Sequence, residues 1–157
     1  MSQSHVQVYL HIIFSTKYRA PLILPHIEVE LYQLTEHQCN QLGCIAIEVG
    51  GCIDHVHILC RLSKHISIPK LLESIKGASS KGIKSKYSNL TNFYWQDGYG
   101  AFSVSPKEVD NISQYIRSQH EHHISKTFKE EYLELLHKND VKFDHQYLWD
   151  DAPSEKG

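Results

Sequence analysis

Two histidines separated by one apolar residue lie in the run Asp54-His55-Val56-His57-Ile58-Leu59. Side chains on a strand alternate faces, so His55 and His57 project side by side while Val56, Ile58 and Cys60 point the other way, into a core. Two imidazoles on one open face can grip one divalent ion, leaving positions for a third ligand and a substrate oxygen. The chain holds twelve histidines, so chance or packing also produces this spacing, and the pair needs partners to mean anything.

A second constellation sits further on. Ser105-Pro106-Lys107-Glu108 reads as a capping box with proline at the first helical position. In the helix that follows, Val109, Ile112 and Ile116 form a buried stripe. Tyr115 and Gln119, four residues apart, stack on one face beside it, and His122 continues the row. A helical tyrosine on its own usually packs with its hydroxyl at the surface. The run His120-Glu121-His122-His123 reads as a solvated helix end, with a second metal site as the other reading.

Charge is segregated. The net charge of -2 does not advertise nucleic-acid binding, yet Lys64, Lys70, Lys76, Lys81, Lys84 and Lys86 face only one acid, Glu73, between residues 64 and 86. Ser79, Ser80 and Ser85 lie among these lysines. Such a helix is either a solvated face or a phosphate-docking surface that positions a nucleic-acid backbone without reading bases. Phe93, Tyr94, Trp95, Tyr99 and Phe102 either fill a core or stack on unpaired bases. The C-terminal stretch is acidic instead, with Glu130, Glu131, Glu134, Asp140, Asp144, Asp150 and Asp151.

The elements that must position these residues follow from periodicity. Val6, Val8, Leu10, Ile12 and Phe14 alternate with Gln7, Tyr9 and His11, which predicts a half-buried strand. A loop carrying Lys17 and Arg19 leads to a helix over residues 26–42 that Gly43 ends. Ile45, Ile47 and Val49 predict a second strand. Gly50-Gly51 turns it into a third, over residues 54–62. A helix over 68–86, a strand over 99–104, the tyrosine helix and a helix over about 127–138 complete the order β-α-β-β-α-β-α-α. That order predicts an α+β fold, a ferredoxin-like antiparallel sheet with helices on one face plus a C-terminal tyrosine-bearing helix. Residues 1–157 read as one domain, with about 142–157 an irregular polar tail.

The four cysteines, Cys39, Cys44, Cys52 and Cys60, form no C-x-x-C pair and read as reduced and mostly buried. No apolar run approaches the roughly 18–20 residues that span a bilayer. The first residues lack a signal-peptide layout. A cytoplasmic protein without a membrane partner is the expectation.

Taken together, His55-Val56-His57 on a strand and Tyr115-Ile116-Arg117-Ser118-Gln119 on a helix about sixty residues later resemble the HUH single-tyrosine transposases of IS200-like insertion sequences. The similarity extends to V-Y-L-H-I-I-F-S-T-K-Y-R-A-P-L-I near the start, K-G-A-S-S-K, W-Q-D-G-Y-G-A-F-S-V-S and the closing Tyr147-Leu148-Trp149. The resemblance implies a DNA transposase of bacterial or archaeal cells that cuts and rejoins single-stranded DNA. It implies Tyr115 as the nucleophile, forming a 5′-phosphotyrosine. It also implies Mg²⁺ or Mn²⁺ on His55, His57 and the amide oxygen of Gln119. The implied partners are hairpins near the element ends and a second copy of the chain, with no nucleotide cofactor. Lys17, Arg19, Lys76, Ser80, Lys81 and Lys84 are then the candidate DNA contacts. Two rivals are a hairpin-binding protein without cutting activity and a metal-dependent hydrolase that uses water in place of Tyr115.

Overall fold

The computed structural model describes residues 2–149. Strand β1 (Tyr9–Ser15) is followed by a 3-10 turn (Lys17–Arg19), helix α1 (Pro25–Gln41), strands β2 (Ile45–Cys52) and β3 (His55–Arg61), helix α2 (Ile68–Lys86) and strand β4 (Gly100–Val104). A 3-10 turn (Pro106–Glu108), helices α3 (Val109–Arg117), α4 (Gln119–His122) and α5 (Phe128–Lys138), and a last 3-10 turn (His145–Tyr147) complete the order. The four strands form one antiparallel sheet in the order β2-β3-β1-β4. The α+β plan read from the sequence is therefore present.

Local chemistry explains the boundaries. Pro25 opens α1, and Ile27, Leu31, Thr35 and Cys39 form its buried stripe at every fourth position. Gly43 ends it with φ +73°, a conformation glycine adopts without a side-chain penalty. Ser67 caps α2 by accepting from the Lys70 amide, and Leu71, Leu72, Ile75, Ser79 and Ile83 face inward. Ser105 makes no side-chain cap. Its carbonyl accepts from the Glu108 amide at 2.9 Å instead, and this i→i+3 turn delays α3 to Val109. A side-chain cap forms two helices later. The Thr127 hydroxyl accepts from the Glu130 amide and donates to the Glu130 carboxylate at the start of α5.

Register sorts the sheet into two faces. Leu10 opposes Cys60, Ile12 opposes Ile58 and Phe14 opposes Val56. These six side chains join Ile27, Leu31, Leu71 and Ile75 in the core beneath α1 and α2. Full burial of each large apolar side chain stabilises the fold by about 1.5–3 kcal/mol. The opposite face carries His11, Ile13, His55 and His57. There Ile13 and Phe102 pack with Phe128, Tyr132, Leu135 and Leu136 of the C-terminal region. The sequence reading of β1 as half-buried is corrected here, since His11 is only 2% exposed. The histidine face is likewise covered rather than open. Both corrections have one cause: the tyrosine helix and α5 lie over that face.

Gly50, opposite His57, sets how closely α3 approaches. A Cβ there would stand 2.8 Å from both Ile116 Cγ2 and the Ile116 carbonyl oxygen. Gly50→Ala is expected to push α3 off the sheet and destabilise the protein by about 1–3 kcal/mol, as overpacking does. Urea unfolding checks this, and an unchanged midpoint would contradict the close approach.

Cys39, Cys44 and Cys60 are buried and Cys52 is half-buried, all as free thiols. Among the described residues, no helix is long and apolar enough to cross a membrane. The polar tail is irregular from residue 141 apart from its 3-10 turn, and its last residues, 150–157, lie outside the described ones.

Candidate metal centre and tyrosine site

Strand β3 holds His55 and His57 rigidly, and each ring is braced from behind. His55 Nδ1 lies 2.7 Å from Asp54 Oδ1. His57 Nδ1 lies 2.7 Å from His11 Nε2, with the two rings stacked at 5.0 Å. Both Nε2 atoms consequently face forward, toward one oxygen. Glu131 Oε1, supplied by α5, is 3.3 Å from His55 Nε2 and 3.1 Å from His57 Nε2. The three ligand atoms all lie within 4.8 Å of one another, and all three residues are buried. Nitrogen and oxygen donors of this type, converging in a water-poor nook, fit a divalent cation.

Gln119 and Tyr115 close the cluster. Gln119 Oε1 is 2.9 Å from His55 Nε2, and its Nε2 donates to Glu131 Oε2 at 2.8 Å. The Tyr115 hydroxyl donates to the same Glu131 Oε2. The Tyr115 ring stands 5.8 Å from that of His57, within one chain. The structure thus brings Tyr115, His55, His57 and Gln119 together. Gln119 opens α4 after a break at Ser118, so the tyrosine and the glutamine lie on separate short helices.

The sequence reading missed Glu131 and His123. Glu131 sits among Phe128, Tyr132, Leu135 and Leu136 on the buried side of α5. A carboxylate within the apolar stripe of an amphipathic helix was the signal that could have found it. His123 belongs to the run read as a solvated helix end, yet its side chain is only 7% exposed. Its Nε2 stands 3.0 Å from Glu131 Oε1 and 3.1 Å from Gln119 Oε1.

Burial pushes the His55 pKa down, but hydrogen bonds and charge from Asp54 and Glu131 outweigh it and raise the net value to about 9. Burial dominates at His57, which falls to about 4, and at His11, which falls to about 3 with help from His57. Burial also pushes Glu131 up, yet hydrogen bonds from His123, His55 and His57 hold its carboxyl well below the usual range. Tyr115 is raised by burial and by the Glu131 charge, so its phenol keeps its proton beside the bare carboxylate.

These shifts set the pH dependence of the metal-free protein. The contribution of His55 is complete below its unfolded pKa of about 6.5 and is lost as pH rises toward 9. His57 and His11 act oppositely, because the unfolded chain binds more protons than the native one below about 6.5. Glu131 adds a further loss as pH falls below the ordinary carboxylate range. In EDTA, stability is expected to peak near pH 6.5 and fall on both sides, by up to about 1.4 kcal/mol per pH unit for each group. Urea midpoints from pH 4 to 9 check this, and a flat profile would contradict the charge assignment.

Lys76, Ser80, Lys81 and Lys84 line one open concavity of about 810 Å³ with Tyr94, Trp95 and Gln96. Lys84 Nζ lies 3.7 Å over the exposed Tyr94 ring. Lys76 Nζ donates to the Gln96 and Gly98 carbonyls, holding that loop to α2. The turn bearing Lys17 adjoins this wall, since the Lys17 amide donates to the Tyr94 carbonyl at 2.7 Å. Arg19 points elsewhere, 5.6 Å over the Trp149 ring. Phe93, Trp95 and Phe102 are buried and Tyr99 packs partly buried against the core, so Tyr94 is the aromatic of that group whose ring lies exposed, with Lys84 over one face.

Comparison with known proteins agrees with this architecture. The sequence is 28% identical over 120 residues to the ISDra2 transposase TnpA of Deinococcus radiodurans, covering 73% of this chain and 86% of that one. It is 26% identical over 114 residues to the transposase for insertion sequence element IS200 of Salmonella typhimurium, covering 69% and 74%. The fold is similar to a crystal structure from Deinococcus radiodurans assigned as a transposase, with TM-score 0.61 and 24% identity over 76% of this chain and 98% of that one. It is also similar to a REP-associated tyrosine transposase bound to a REP hairpin, with TM-score 0.58 and 14% identity over 78% and 74%. The profile of the family described as "Transposase IS200 like" matches residues 4–119, from the first strand through His55, His57 and Tyr115 to Gln119. The chain belongs to that family, the IS200-like Y1 transposases.

Proposed function

We propose that this protein cuts and rejoins single-stranded DNA at insertion-sequence ends through a 5′-phosphotyrosine at Tyr115, assisted by Mg²⁺ or Mn²⁺. The observation that carries this reading is the convergence of the Tyr115 hydroxyl and the His55 and His57 Nε2 atoms on a single buried carboxylate, Glu131. His55 and His57 would hold the ion through Nε2. Glu131 would add a charged oxygen, which hard divalent cations favour, and the Gln119 amide oxygen would complete the set. When bound, the cation supplies positive charge that polarises the scissile phosphate and offsets the carboxylate beside the phenol.

The side chains perform the rest. Glu131 Oε2 orients the Tyr115 hydroxyl by accepting its hydrogen bond. The phenol oxygen attacks phosphorus in line. The Tyr115 O–P bond forms as the bond to the 3′-oxygen breaks. The phenol proton passes to Glu131 Oε2, which already accepts its hydrogen bond, and the departing 3′-oxygen, on the opposite side of phosphorus, takes a proton from solvent. The products are a phosphotyrosine on the 5′ side and a free 3′-OH. Attack by another 3′-OH reverses the step on a new strand without a nucleotide cofactor. The surrounding α3, α4 and α5 exclude water, which protects the covalent intermediate from hydrolysis. Ser80, Lys81 and Lys84, with Lys17, are assigned to the DNA backbone, and Tyr94 to an unpaired base, whereas Lys76 holds the loop to α2 and Arg19 lies over Trp149, away from that surface. The hairpin on the similar REP-associated transposase supports hairpin DNA as the partner. A homodimer in a bacterial or archaeal cytoplasm completes the reading, with residues 1–157 acting as one transposase unit.

The test is a denaturing gel of labelled single-stranded DNA carrying an element end, incubated with protein and Mn²⁺. A DNA-linked protein band that EDTA prevents is the expected result. Cutting without that band would indicate a hydrolase, and hairpin binding without cutting would indicate a DNA-binding protein that has lost transposition.

A further inference from the structure

We propose that His11 is a positioning residue that lets His57 exchange its Nε2 hydrogen for a metal ion, by switching from donor to acceptor at His57 Nδ1. This inference rests on the metal centre proposed above. A neutral imidazole has one donor and one acceptor nitrogen. His57 Nε2 lies 3.1 Å from Glu131 Oε1, and an ionised carboxylate only accepts. His57 therefore carries its hydrogen on Nε2. Its Nδ1 is then an acceptor, and the 2.7 Å contact has His11 Nε2–H donating.

Metal at His57 Nε2 needs a lone pair there. The ring hydrogen must then reside on Nδ1, and Nδ1–H must donate. His11 Nε2 becomes the acceptor, with its own hydrogen moved to Nδ1. Each ring begins and ends with one hydrogen, so the switch changes tautomers and not charge. The two braces thereby differ in kind. Asp54 can only accept, so His55 keeps its Nδ1 hydrogen in both states. His11 can do either, which an ammonium or a carboxylate at the same place could not. His11 is one of the residues bordering a concavity of about 380 Å³ with Ser103, Glu108 and Lys138. Outer partners of this kind fix ligand orientation, and removing one lowers metal affinity by about 10–100-fold.

The experiment follows ring nitrogens directly. Long-range ¹H–¹⁵N correlation spectra of the histidines are recorded in EDTA and with Zn²⁺ as a diamagnetic probe. Mn²⁺ affinity is measured by electron paramagnetic resonance for wild type, His11→Phe and His11→Gln. His57 is expected to read as the Nε2–H tautomer in EDTA and Nδ1–H with Zn²⁺. Mn²⁺ affinity is expected to fall about 10–100-fold in His11→Phe, which stacks without a hydrogen bond, and to recover in His11→Gln, whose amide can present either atom. An unchanged His57 tautomer, or His11→Phe binding Mn²⁺ as tightly as wild type, would overturn the role of His11 alone. Wild type that binds neither ion would overturn the metal centre and the role of His11 together. Should His11→Phe fail to fold, the wild-type spectra and His11→Gln still decide.

Discussion

Tyr115→Phe is expected to lose the covalent DNA band and at least about 10³-fold in strand cleavage, a loss typical of removing a nucleophile while its surroundings survive. The reason is atomic. The substitution deletes the one oxygen placed to attack and leaves the ring that packs against His122 at 4.8 Å and His57 at 5.8 Å. Glu131 Oε2 keeps its bond from Gln119 Nε2, so the carboxylate is not stranded. One lost hydrogen bond changes stability by only about 1 kcal/mol. Mn²⁺ affinity and hairpin binding are therefore expected to stay near wild type while chemistry disappears. Calorimetry, gel shift and the denaturing gel together check the separation. A persisting covalent band would remove Tyr115 from its role. A parallel collapse of metal binding would make it structural.

Glu131→Ala is expected to have the largest effect on the protein itself. With its pKa near 9, His55 is charged at neutral pH, and it is fully buried. Glu131 is its partner in the interior, and Asp54 its partner at the edge. Removing one side of a buried ion pair destabilises by about 3–5 kcal/mol, because the remaining charge keeps its desolvation penalty. The metal-free variant should unfold at distinctly lower urea. Glu131→Gln, with nearly the same shape, should recover part of the stability but not the Mn²⁺ affinity, since a neutral amide oxygen replaces a charged one. Glu131→Gln that binds Mn²⁺ as tightly as wild type would leave the oxygen donation to Gln119 alone.

The fold was legible because its pattern is local. Strand alternation, the glycine after α1 and the proline-led helices each report on their own few residues. The proposed site was legible as far as its two short motifs reach: His55 with His57, and Tyr115 with Gln119. Glu131 and His11 were not, because each acts across a long stretch of chain. His11 reads as the polar side of an alternating strand until α5 covers it. Glu131 reads as one of three acids in a polar helix until its register beside Phe128 and Tyr132 is weighed. The cap at Ser105 failed for the opposite reason. Its motif was correct, but a backbone turn satisfied the same donor first.

The carboxylate at the centre of this site comes from α5, beyond the segment shared with the family profile, and meets His57 across 74 positions of chain. A cation gripped by both would act as a removable staple on a long loop, shrinking the freedom of the unfolded chain as it bound. Ion uptake and docking of the C-terminal helix would then draw on the same free energy. Chelation should accordingly make α5 the first element to fray, opening amide exchange and protease cutting there before the sheet loosens.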